Sequence, residues 1–95
     1  MSEEIIRQRI TFIGDVQGVG LRYRARYAAE SLGLTGWVEN RFDDTVLMEV
    51  QGPMELINKM LVIINQGAYV HVKDLIRNNI PTQEHETGFH VKYPI

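Results

Sequence analysis

Between Ile13 and Leu21 the hydrophobic pattern of this chain changes period, and the glycines Gly14, Gly18 and Gly20 carry the change. Upstream, Ile5 to Ile13 alternates, with Ile6, Ile10 and Phe12 on one side and Arg7, Arg9 and Thr11 on the other, which predicts a half-buried strand. Downstream, Leu21, Ala25, Ala28, Ala29 and Leu32 recur at helical spacing, and Gly33 supplies a stop. A strand that turns through glycines into a helix leaves few architectures open. The same junction has the layout of an anion site. Glycines let the backbone turn tightly and aim N–H groups inward. A helix N-terminus adds unpaired donors and a partial positive charge. Arg22, in the first turn, adds a planar fork of donors suited to phosphate or carboxylate oxygens.

The rest of the chain repeats the alternation of strand and helix patterns. Leu34 to Asn40 predicts a short strand containing Trp37 and Val38, with Trp37 expected in the core or in a site wall. The polar turn Phe42-Asp43-Asp44-Thr45 leads into Val46 to Gln51, where Val46, Met48 and Val50 share a face, so the two strands pair as a hairpin. Gly52-Pro53 breaks this strand, and proline suits a helix start. Met54 to Asn65 then repeats Ile57, Met60, Leu61 and Ile64 at helical spacing, with Gly67 at its end. Tyr69 to Leu75 alternates again, Asn78 to Gly88 is predicted as a loop, and Phe89, Val91 and Tyr93 mark a last strand.

This order predicts a single α+β domain over residues 1–95, a ferredoxin-like βαββαβ sandwich with two helices on one face of a mainly antiparallel sheet. Arg7, Arg9, His71, Lys73, His90 and Lys92 fall on outward positions. A solvated open face is expected there, with a binding surface as the alternative.

Composition closes several routes. The absence of cysteine excludes disulfides, thiolate zinc sites and cysteine nucleophiles. A formal net charge of -2 argues against nucleic acid as a partner, because binding to a phosphate backbone calls for a basic excess. An RNA-binding domain shares this order of elements, yet it needs aromatic platforms on adjacent strands, and Val46 to Gln51 has none. His71, His85 and His90 form no metal-ligand spacing and are expected at the surface, so no metal is expected. The longest apolar run, Met60 to Ile64, is far too short to span a membrane. The start Met-Ser-Glu-Glu-Ile-Ile has neither a basic nor an apolar signal segment, so the expected location is the cytoplasm.

Two segments carry a resemblance. Val16-Gln17-Gly18-Val19-Gly20-Leu21-Arg22 resembles the active-site loop of acylphosphatases, V-Q-G-V-x-F-R. Gly36-Trp37-Val38-Glu39-Asn40, followed by Thr45-Val46 and Gly52, resembles that family's second signature. Both lie in the family's order and at its spacing. The resemblance implies hydrolysis of acyl phosphates, the mixed anhydrides of a carboxylic and a phosphoric acid, and it implies the ferredoxin-like fold. It implies that Arg22 holds the phosphoryl oxygens with backbone N–H groups of Gln17, Gly18, Val19, Gly20, Leu21 and Arg22, and that Asn40 orients the attacking water. It implies no metal or organic cofactor; the partners are a small acyl phosphate and the inorganic phosphate released from it.

Four positions depart from the family's pattern. Leu21 replaces phenylalanine, Ala25 stands where threonine is common, and Asp15 puts a carboxylate beside the proposed cradle. Asp44 takes the place of a turn glycine and is strained if the turn needs positive φ. The alternative function is a catalytically weak phosphate- or acyl-phosphate-binding regulatory module on the same fold. The family's domain also occurs at the N-terminus of a larger maturation enzyme of carbamoyl chemistry. With no linker or zinc-ligand cysteines, this chain is expected to be free-standing and monomeric.

Overall fold

The structure is a computed structural model that describes residues 4–93. The expected single domain over 1–95, and the expectation of no signal segment, extend at Met1–Glu3 and at Pro94 and Ile95 outside the described residues. The chain forms β1 (Ile5–Asp15), α1 (Leu21–Leu32), β2 (Thr35–Asn40), β3 (Val46–Pro53), α2 (Met54–Asn65), β4 (His71–Ile80) and β5 (Phe89–Lys92). The strands make one sheet in the order β4-β1-β3-β2-β5. This is the expected ferredoxin-like sandwich, with a fifth strand added in parallel to β2.

Period-two burial explains the core. Ile10 and Phe12 of β1, Val38 of β2, and Val46, Met48 and Val50 of β3 lie fully buried beneath the helices. The helices contribute Leu21, Ala25, Ala28 and Ala29 from α1, and Ile57, Met60 and Ile64 from α2. Three alanines on one helix face bring α1 close to its neighbours, and Phe89 fills the far end of the sheet. A shallow, largely apolar groove of ≈ 450 Å³ remains between α2 and β4.

Strand direction decides where functional groups can meet. β1 and β2 each pair antiparallel with β3, so they run in the same direction and end at the same edge. β5 is parallel to β2 and ends there too. The loop after β1, Asn40 at the end of β2 and Tyr93 after β5 therefore converge without any long excursion of the chain.

Several expectations need correction. β3 does not stop at Gln51: Gly52 pairs with Ile6 and Pro53 with Ile5, and Pro53 then serves as the N-cap of α2. β4 starts at His71 rather than Tyr69 and runs on through Asn78 and Asn79, which pair with Arg9 and Gln8. The low strand preference of asparagine is overridden by this pairing, helped by the Gln8 amide donating to Asn79 Oδ1 at 2.9 Å. Trp37 is not in the helix-covered core; it lies on the open face, across from Glu49, with the Lys92 ammonium 4.2 Å from its ring centroid.

Arg7 is the largest correction. It lies on the open face as its period requires, yet its side chain is 0% exposed. The 81–88 segment folds over it. Arg7 donates to Glu86 Oε1 at 2.7 Å and to Glu49 Oε1 at 3.0 and 3.2 Å, while Glu86 also accepts from Thr35 Oγ1 at 2.8 Å. Gln51 is tied to the Gln83 backbone in both directions. Part of the expected solvated face is thus a covered ionic cluster. Burial pushes the Glu49 carboxyl up, but hydrogen bonds from Arg9 and Arg7 outweigh it and hold it below its usual value. Burial likewise pushes Glu86 up, and its bonds with Arg7 and Thr35 more than offset this.

Candidate active site

The first strand–helix junction sets the site. β1 and β4 slip register between Ile13 and Gly14, and β1 ends two residues later at Asp15. Gly18 and Gly20 then take φ of 72° and 81°, in the left-handed region. A Cβ at either would meet nothing within 4 Å, so conformation rather than space requires glycine there. Gly20 is the N-cap of α1, with no side-chain cap and no acidic residue in the first turn. The helix ladder begins with Arg24 N–H donating to Gly20 O at 3.1 Å. The N–H groups of Leu21, Arg22 and Tyr23 precede it and have no intrahelical acceptor. Among the described residues, the turn and loop bonds include none donated by the backbone of Gln17, Gly18, Val19 or Gly20. This end of α1 keeps its partial positive charge uncompensated.

The segment lines a concavity of ≈ 240 Å³ with Arg22, Tyr23 and Asn40. No carboxylate among the described residues pairs with Arg22; its guanidinium lies 5.0 Å from the Tyr93 ring centroid instead. Asn40 reaches the concavity from the end of β2, and its Oδ1 is buried with no hydrogen-bond partner among the described residues. A buried acceptor left in that state costs about 1–3 kcal/mol, so it marks a position where a donor belongs.

Arg22, Asn40, Gly18, Gly20 and Leu21 are thus brought to one concavity. Gln17 and Val19 instead line an adjoining hollow of ≈ 590 Å³, with Asp15, Asp44, Tyr69 and His71. Asp15 faces that hollow and is not part of the lining around Arg22. Leu21 is buried in the core, so the departure there fills the helix underside. Asp44 adopts φ 70°, the strained state its place in the turn foreshadows. His71, His85 and His90 are exposed, and the described residues include no cluster able to hold a metal ion.

Two contacts had little sequence signal. The motif implies a role for the Gln17 backbone alone, yet its side-chain amide donates to Arg41 O at 2.7 Å and to Thr45 O at 2.9 Å. The turn it reaches is closed by Arg41 N–H donating to Thr45 O at 2.8 Å and by Asp43, which accepts from Thr45 N at 3.1 Å. The Tyr93 ring comes from the opposite end of the chain. Its place at the end of the last alternating segment was the one available hint.

Fold and junction together describe a ferredoxin-like sandwich with a donor-rich first strand–helix turn, an arginine and a buried amide oxygen at one edge of its sheet. The Acylphosphatase family model matches residues 8–91, and the chain belongs to the acylphosphatase family. It is similar to the acylphosphatase of Clostridium acetobutylicum, with 41% identity over 88 residues, covering 92% of this chain and 97% of that one. The crystal structure of acylphosphatase from Bacillus subtilis superposes with a TM-score of 0.84 at 30% identity, covering 93% and 99% of the two chains. An acylphosphatase structure from Coxiella burnetii gives 0.83 at 28% identity, covering 93% of each.

Proposed function

We propose that this enzyme hydrolyses the carboxyl–phosphate anhydride bond of acyl phosphates, giving a carboxylate and inorganic phosphate. The phosphoryl group is held by the Arg22 guanidinium and by backbone N–H groups from Gln17 to Arg22. Water attacks phosphorus, the bond from phosphorus to the acyl oxygen breaks, and the carboxylate leaves with the electron pair. Such a leaving group departs without a strong general acid, which fits a site with no histidine in its lining. Donors fixed around the flattening phosphoryl group provide the charge stabilisation that this chemistry requires.

The buried, unpartnered Oδ1 of Asn40 in the concavity of Arg22 carries this reading. An amide oxygen accepts from water and orients its lone pair toward phosphorus, but it is too weak a base to take the proton fully. A phosphoryl oxygen is the acceptor for that proton. No metal or organic cofactor enters the scheme. Action as a monomer in the cytoplasm belongs to the same proposal.

The test is hydrolysis of benzoyl phosphate with EDTA present, for wild type, Arg22→Ala and Asn40→Ala. Fast, chelator-resistant turnover is expected. Arg22→Ala is expected to lose roughly 3 kcal/mol of transition-state stabilisation or more, as for other lost charge-stabilising donors. Asn40→Ala is expected to lose turnover while keeping inhibition by phosphate. Near-normal turnover in a folded Arg22→Ala protein overturns its assignment. A folded wild type that binds phosphate without turnover is instead a binding module.

A further inference from the structure

We infer that the Gln17 side chain is a positioning residue that sets the separation between the phosphoryl cradle and Asn40. This rests on the functional reading above. The backbone of Gln17 belongs to the loop after β1, whereas Asn40 ends β2, and the two elements belong to different parts of the sheet. β1 and β2 are not neighbours; β3 lies between them. One side chain crosses that gap. Both acceptors of its amide, Arg41 O at 2.7 Å and Thr45 O at 2.9 Å, are backbone carbonyls, so only the NH2 end can face them. Both amide protons are used, and Arg41 directly follows Asn40.

The far end of the tie is firm. Arg41 N–H donates to Thr45 O at 2.8 Å and Asp44 N–H to Arg41 O at 3.3 Å. Asp43 Oδ1 accepts from Thr45 Oγ1 at 2.6 Å. With a firm turn on one side and a backbone that runs on through Gly18 and Gly20 on the other, the Gln17 amide is the hydrogen-bonded tie that holds this part of the loop to the turn after Asn40. Without it, the loop keeps its donors and Arg22, but its distance from Asn40 is no longer fixed. In-line attack depends on that distance, whereas phosphate binding depends on the cradle alone.

The test combines Gln17→Met, which keeps the length and removes both donors, with a double-mutant cycle against Asn40→Ala. Benzoyl phosphate turnover is measured well below the melting temperature of each variant, with inorganic phosphate as competitive inhibitor. Gln17→Met is expected to lower kcat roughly tenfold to hundredfold, as misplacement of a reacting group does. The phosphate inhibition constant is expected to stay within about threefold, and the loss to vanish in the Asn40→Ala background, because coupled residues are not additive. Equal losses in both backgrounds, or a lower melting temperature with unchanged kcat, overturn the assignment. Gln17→Glu supplies a second variant. A carboxylate cannot donate to either carbonyl, but its protonated form can donate to one of them, so its kcat relative to wild type is expected to rise as pH falls. A ratio that is flat with pH counts against the tie. The side-chain NH2 of Asn40, followed by 15N relaxation, is expected to gain motion in Gln17→Met, and unchanged motion overturns the tie without any turnover assay. If wild type fails to hydrolyse benzoyl phosphate, the functional reading falls and the relaxation result alone decides the tie.

Discussion

Replacing Arg7 by methionine tests how far the covered open face holds the fold together. Arg7 and Arg9 both bind Glu49 and sit two residues apart on β1, but their surroundings differ. The Arg7 side chain is 0% exposed and that of Arg9 is 54% exposed. Breaking a buried ion pair costs about 3–5 kcal/mol, because a charge is left behind without its partner. Glu49 keeps its two bonds from Arg9, at 3.0 and 2.7 Å, so the larger loss falls on Glu86, whose side chain is 13% exposed and keeps only Thr35. The lower end of that range, about 3 kcal/mol, is the expected cost of Arg7→Met at neutral pH. For a domain of this size it corresponds to a fall in Tm of about 12–24 °C. Arg9→Met removes a largely solvated partner and is expected to cost about 1 kcal/mol or less. Urea unfolding at pH 7 and at pH 4 reads both. The penalty for Arg7→Met is expected to shrink at pH 4, where Glu86 takes up a proton once its cation is gone. Equal costs for the two variants, or a penalty for Arg7→Met that does not change with pH, refute the buried-cluster argument.

Two further outcomes follow from individual groups. Glu49 and Glu86 are held below their usual value of 4.5, so their contribution is fully present above that pH and lost as pH falls through the folded values. Wild-type Tm should therefore be flat above about pH 5.5 and decline below pH 4.5, with a shallower decline in Glu86→Gln; a wild-type Tm that rises on acidification contradicts this. Asp44→Gly relieves the left-handed backbone at φ 70° and is expected to raise stability by about 0.5–1 kcal/mol in urea melts; loss of stability would show that the aspartate side chain contributes more than its backbone costs.

Sequence pattern reached the fold wherever burial alternates simply. Both helices match their expected limits, Leu21 to Leu32 and Met54 to Asn65, because each presents one apolar stripe to a single sheet face. The pattern misled where pairing partners are distant. Asn78 and Asn79 resemble loop residues until β1 lies beside them. Arg7 resembles a surface cation until a loop beginning more than seventy residues later covers it. At the candidate site, Arg22 and Asn40 were legible through motif and spacing, and the structure brings both to one concavity. The Gln17 amide was not legible, since its acceptors are backbone carbonyls that no residue type announces.

The bond between Arg7 and Glu86 joins positions 79 apart in the chain. Closing so long a loop carries an entropic cost that a contact between near neighbours in the chain does not. β5 follows Glu86 and adds in parallel to β2, so its pairing needs β2 in place. Tyr93 arrives with it and completes the aromatic floor beneath Arg22. The glycine turn and Asn40 come from the first half of the chain, and that floor comes from its last strand. The ring that faces the Arg22 guanidinium is thus carried by an edge strand, joined to the rest of the sheet through β2 alone, whereas the β2–β3 hairpin that presents Asn40 lies inside the sheet.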